Sequence, residues 1–170
     1  SLGFHPRENR FLFVTGHGAL RIVDCVTGEI SSVNEPEVVG AGWSPDGTSI
    51  VIRSADQAIR LWDVATGTMV STARSRAAVM AASLGPRNDR VLRIGRNAVE
   101  VLDARSAQIL ARHAIAGERI THGELTPDGQ GVVIVTDDGT VSLWDADHAP
   151  NPELDVALVH LAESALQGSG

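Results

Sequence analysis

The sequence predicts an all-β chain made of four tandem units, and three observations carry that expectation. Asp24, Asp63, Asp103 and Asp145 each close a similar apolar run, at spacings of 39, 40 and 42 residues. Pro6, Pro45, Pro86 and Pro127 mark a second, independent register, at spacings of 39, 41 and 41. Each unit also carries short runs rich in β-formers, separated by turn residues.

The second unit shows the elements in order. Val38 to Trp43 is the first strand, followed by the turn Ser44-Pro45-Asp46-Gly47. Pro presets φ in such a turn, and Gly accepts positive φ. Ser49 to Arg53 is the second strand, and Asp56-Gln57 opens a turn into Ile59 to Asp63. Thr66-Gly67 then turns the chain into Met69 to Ala73. The third run alternates, with Ile59, Leu61 and Asp63 on one face and Arg60 and Trp62 on the other. The fourth unit repeats this with Val141, Leu143 and Asp145 against Ser142 and Trp144. One face should pack on one neighbouring unit and the Trp face on the other. Four short strands per unit of this length are the pattern of propeller blades. The units fall at 2–34, 35–74, 75–114 and 115–146, within a repeat region 1–146.

Composition limits the function. Formal net charge is −7, and all fourteen basic residues are Arg, scattered along the chain. A nucleic-acid partner needs a concentrated basic face and is not expected. No apolar run approaches the length of a membrane span, so no membrane partner is expected either. An all-Arg, Ala-rich sequence points to a GC-rich, bacterial genome. The single cysteine, Cys25, excludes an internal disulfide and fits a cytoplasmic setting. The N-terminus lacks the basic-then-apolar order of a signal peptide.

Candidate chemistry is sparse. The histidines, at 5, 17, 113, 122, 148 and 160, lack metal-ligand spacing. Cys25 has no His or basic neighbour in sequence and reads as a small buried thiol. Gly40-Ala41-Gly42 sits in a strand with no helix after it, so it is not a dinucleotide fingerprint. These glycines instead allow close approach near the ring axis. No catalytic residue, cofactor or metal is expected. Asp56 near Ser54 and Asp138 near Thr136 recur at equal unit positions, which makes them structural and not catalytic. Arg53, Arg60, Arg74, Arg76, Arg93 and Arg96 read either as binding residues or as a solvated surface.

Ile59-Arg60-Leu61-Trp62-Asp63 with Thr66-Gly67, and Val141-Ser142-Leu143-Trp144-Asp145, resemble the signature of the WD40-repeat β-propeller family. The resemblance covers residues 4 to about 146. It implies blades braced by a hydrogen-bonded set of Asp, Ser or Thr, Trp and His. The second blade offers Ser54, Asp56 and Trp62, with Asp63 closing the strand. The fourth offers Thr136, Asp138 and Trp144, with Asp145. The first keeps Thr15 but has His17 and Val23, and the third has Ile94, Arg96 and Leu102. The family's Gly-His pair before the first strand is missing from all four units. The blades must therefore rely more on apolar packing.

Four blades are fewer than the family's usual ring of about seven. Two completions stand open: a larger propeller of which this is the C-terminal part, or a homodimer forming an eight-blade ring. The fourth unit shows no outer strand after Asp145. Residues 147–170 read as a linker and tail. There Asn151-Pro152-Glu153 favours a helix start, while alternation of Leu154, Val156 and Leu158 keeps a strand open over 152–166. The resemblance implies a protein–protein interaction scaffold, or the sensor module of a larger bacterial signalling or regulatory protein. Alternatives are a non-catalytic propeller attached to a hydrolase or peptidase, and a periplasmic ligand-binding propeller.

Overall fold

A computed structural model describes residues 1–115 and 117–147. All regular elements among the described residues are β-strands. The first sheet contains β1 (Leu2–Phe4), β2 (Arg10–Val14), β3 (Leu20–Asp24) and β4 (Ile30–Val33). The second contains β5 (Val38–Trp43), β6 (Ser49–Ser54), β7 (Ala58–Asp63) and β8 (Thr68–Arg74). The third contains β9 (Ala81–Leu84), β10 (Arg90–Ile94), β11 (Ala98–Asp103) and β12 (Ile109–Ala114). The fourth has three described strands, β13 (Ile120–Leu125), β14 (Gly131–Thr136) and β15 (Val141–Asp145). Each sheet is an antiparallel meander in chain order. Among the described residues the expected all-β array of four blades is what the chain forms, with three strands in the fourth. The helix-or-strand reading of 152–166 lies outside the described residues.

The core is not inside any sheet but between sheets. Strand residues alternate faces, so each strand can supply two neighbours at once. Leu12 and Leu20 of the first sheet meet Ile50 and Ile52 of the second, all four fully buried, with Trp43 and Trp62 packed against them. From the opposite face of the second sheet, Val51, Ile59 and Leu61 meet Val91 and Leu102 of the third. Leu92, Ile94, Val99 and Val101 then meet Val132, Ile134 and Trp144 of the fourth. The expectation that the Ile59–Leu61 face and the Trp62 face pack on different neighbours holds in this arrangement.

The proline turns form one rim. In the second sheet the Ser44 hydroxyl donates to Asp46 Oδ1 at 2.7 Å, and Gly47 takes φ 80. Thr126 and Asp128 repeat that contact at 2.5 Å, with Gly129 at φ 69. Asn88 fills the glycine place in the third sheet at φ 57, a region Asn tolerates. The first turn has His5 instead. Its Nδ1 accepts from the backbone N–H of Arg7 and Glu8, at 3.2 and 2.9 Å. That fixes the proton on Nε2, which donates to Gly47 O of the next sheet at 3.1 Å. A side chain at position 47 would collide with the His5 ring, its Cβ lying 2.2 Å from Nε2.

Replacing Leu92 with Ala should cost about 2–5 kcal/mol, because a fully buried side chain between two sheets leaves a cavity. Leu143→Ala on the uncovered face of the fourth sheet should cost under about 1 kcal/mol. Urea denaturation of both variants checks the contrast.

Candidate functional site

β5, β9 and β13 are the first strands of their sheets, and each lies against the sheet before it as the innermost strand of its blade. Several residues there are small: Gly40, Ala41 and Gly42 in β5, Ala81, Ala82 and Ser83 in β9, and Gly123 in β13. Where the sheets converge, small residues let the inner strands approach closely. A groove of about 660 Å³ runs between β9 and β13 and past the Pro86 and Pro127 turns. Its wall is largely apolar, with Ile94, Leu125, Val133 and Val135, and carries His122, Glu124, Ser83 and Thr126 as polar groups. A hollow of about 180 Å³ between β5 and β9 is bordered by Arg53 and Met80.

Several arginines face inward and tie the sheets together, which corrects the choice between binding residue and solvated surface. Arg93 is 4% exposed. Its Nε donates to Glu100 Oε2 at 2.6 Å, and its Nη1 donates to Arg74 O of the second sheet at 3.3 Å. Arg53 Nη1 donates to Val79 O at 2.8 Å, while Gln57 Oε1 accepts from Val79 N at 3.0 Å. The segment joining the second and third sheets is thus held from both sides. Arg60 pairs with Glu35 at 3.3 Å and Asp56 at 2.7 Å, its side chain 12% exposed. Arg74, Arg76 and Arg96 are exposed. Composition could count these residues but not tell which of them the pleat turns inward.

The residues offered as a polar brace divide into two groups. Thr136 donates to Asp138 Oδ1 at 2.6 Å, and Asp138 accepts from Thr140 N at 2.9 Å. In the second sheet Asp56 instead accepts from Ala58 N at 3.1 Å and from Arg60. Ser54 Oγ is buried without a hydrogen-bond partner among the described residues, as is Trp144 Nε1. Register explains why the indoles stay apart. Trp62 is opposite Ile50 and Trp144 opposite Val132. Ser54 and Thr136 lie four residues further along, ~13 Å away. Trp62 and Trp144 pack as apolar bodies between sheets.

The four repeated aspartates share one task. Asp24, Asp63, Asp103 and Asp145 each accept from backbone N–H groups in the turn that follows, at 2.7–3.1 Å. Those backbone donors, Thr27, Thr66 and Ser106 foremost, hold the first three carboxyls below the usual carboxylate range. Asp138 is lowered to about 2, chiefly by the Thr136 hydroxyl. Cys25, expected to be buried, is exposed. It sits one residue past Asp24, in the turn after β3, where the chain leaves the sheet. Among the described residues, no group of three His, Cys, Asp or Glu is placed to hold a metal ion. No helix among them is long and apolar enough to cross a membrane.

Serial four-stranded meanders packed face to face define the chain as a run of propeller blades. Residues 9–63 match the family model described as WD domain, G-beta repeat. The chain is 32% identical over 107 residues to autophagy-related protein 16 of Arabidopsis thaliana, covering 59% of this chain and 21% of that protein. It is 26% identical over 161 residues to WD repeat-containing protein 1 of Gallus gallus, covering 87% of this chain and 26% of the relative. A chain in the crystal structure of the mitotic checkpoint complex superposes with a TM-score of 0.72 at 19% identity, over 86% of this chain and 47% of that one. Residues 9–63 thus carry a match to the WD40 repeat, and the fold of the described residues is that of WD40 propeller blades. The chain spans about a quarter or less of the length of these curated relatives.

Two outcomes follow from the charged groups. Arg93→Ala should destabilise by about 3 kcal/mol in chemical denaturation, since it leaves the largely buried Glu100 carboxylate with only the exposed Arg112, at 3.6 Å. Asp56 is lowered to about 2, first by its hydrogen bond to Arg60. Its contribution to stability is therefore complete above its unfolded pKa of ~3.9 and is lost as pH falls through 2. Carboxyl NMR titration should place its midpoint near 2, and Asp56→Asn should flatten the fall in stability between those values.

Proposed function

We propose that the chain is the interaction-scaffold or sensor segment of a larger bacterial signalling or regulatory protein, acting in the cytoplasm. WD40 propellers in general are protein-interaction scaffolds, which supports the first part. The observation that carries the reading is the groove between β9 and β13. It combines an apolar wall with a few polar groups, on strands whose ends are fixed by carboxylate-capped turns. A rigid frame presenting variable loops suits recognition. The polar groups His122, Glu124, Ser83 and Thr126 would orient an extended protein segment, while the apolar wall supplies contact area. The exclusive use of Arg among fourteen basic residues supports the bacterial context.

The test is affinity capture with the wild-type chain and with Ala81→Arg, which puts a long cation on an exposed inner-strand position of the groove. The wild type should retain a defined partner, and Ala81→Arg should weaken that partner's binding by about tenfold or more with an unchanged melting temperature. Capture unaffected by Ala81→Arg, or substrate turnover by the chain alone, would count against the scaffold.

A further inference from the structure

We propose that the slot between the outer parts of the first and second sheets is a binding site for an arginine side chain of a partner protein. The strand-end aspartates put the three sheet-to-sheet contacts in one register. Val33 in β4 and His113 in β12 hold the same place, each opposite the residue four before its sheet's aspartate. Ser31, Ser71 and Ala111 share a second place, each opposite the residue two before it. Val64, Ala104 and Ala146 share a third, one residue past the aspartate of the following sheet.

Two of the contacts are closed at this level. Ser71 Oγ donates to Ala104 O at 2.5 Å, and Ala104 is 1% exposed. His113 lays its ring on Trp144, Ala111 packs on the same cluster, and Ala146 is fully buried. The void left there is about 10 Å³. The first contact is open. Val33 and Ser31 stand where His113 and Ala111 stand in the third sheet, and a slot of about 420 Å³ remains. Its floor is Ile22, Trp62 and Val64, all partly exposed, whereas Trp144 is 7% exposed. The slot lies between two complete four-stranded sheets and shares no lining residue with the groove between β9 and β13.

Charge and shape identify the occupant. Arg10 in the wall is already held by Glu8 at 3.2 Å and Asp24 at 3.4 Å. Glu29 in the rim has no cationic partner among the described residues. A carboxylate beside an accessible indole selects a cation, which the ring quadrupole attracts. The chain itself covers the equivalent indole with the flat, nitrogen-bearing ring of His113. A guanidinium has that flatness, stacks on an aromatic face and donates to a carboxylate along one edge, whereas an ammonium is compact and strongly hydrated. The apolar stem of the arginine would lie on Ile22 and Val64.

Titration with N-acetyl-arginine amide tests this, read by proton–nitrogen NMR at the three tryptophan indoles. The Trp62 peak should shift saturably while those of Trp43 and Trp144 stay in place. Glu29→Gln should weaken binding about three- to tenfold. Ser31→Arg, at an exposed position, should fill the slot with the chain's own cation and abolish the shift. The citrulline analogue, neutral and of similar shape, should bind about tenfold more weakly, and the lysine analogue about threefold or more. An unmoved Trp62 peak, equal binding of the citrulline or lysine analogue, or binding untouched by both variants overturns the proposal. Free arginine binding more tightly than the blocked amide would assign the slot to a small molecule and overturn it as well. Failure at the slot leaves the groove reading standing, since Ala81→Arg alters a different surface.

Discussion

Burial between sheets is the constraint on which the rest of the structure depends. A sheet with one apolar and one polar face can rest on a single partner. These sheets are apolar on both faces: in β6, Ile50 and Ile52 point one way and Val51 the other, all buried. Such a sheet has no stable existence alone and is completed only by neighbours on both sides. The recurrence of Asp and Pro registers follows from this, because each repeat must offer the same two faces at the same height as the last.

The turns keep that height. A strand that ran one residue too far would carry its hydrophobic set to the wrong face. Carboxylates stop it, since Asp63 and Asp103 gather the backbone N–H groups of the chain as it leaves the third strand. The Pro-Asp-Gly turns do the same after the innermost strand. Lateral polar contacts then lock sheet to sheet: His5 to Gly47 O, Trp43 Nε1 to Gly3 O at 3.1 Å, Ser71 to Ala104 O at 2.5 Å. Each donor reaches a backbone carbonyl of a different sheet. Such carbonyls are costly when buried without a partner, so these contacts favour one sheet spacing over others.

Much of the fold was legible because period-2 alternation and turn chemistry act locally. The strands read over Val38 to Trp43, Ser49 to Arg53, Ile59 to Asp63 and Met69 to Ala73 fall within the observed β5 to β8, which extend them by a residue at most at either end. What sequence could not show depends on the neighbouring sheet. Nothing local to Arg93 tells that Arg74 O waits across the interface. His5 gives no sign, as a residue type, that it replaces a serine in its turn. Cys25 was read as buried from its small size, yet its backbone had already left the sheet. The hollow between β5 and β9 was partly legible through Gly40 and Gly42, which mark an inner strand, whereas the polar groups of the β9–β13 groove come from two sheets and converge only on folding.

The third sheet shows how far the family's polar set can be replaced. At the places where the second sheet has Ser54, Asp56 and Trp62, it has Ile94, Arg96 and Leu102. It is nonetheless firmly interlocked. Leu102 is 1% exposed among Ile59, Leu61 and Val91, so a leucine fills the gap between sheets that an indole fills elsewhere. Ile94 is buried on the opposite face against the fourth sheet. The polar tie has moved to Arg93, which joins Glu100 within the sheet to a carbonyl of the sheet before it. An apolar side chain of the right volume and one paired arginine thus meet the same requirement as a hydroxyl, a carboxylate and an indole. The fold requires that the space between sheets be filled, and the residues that fill it differ from blade to blade.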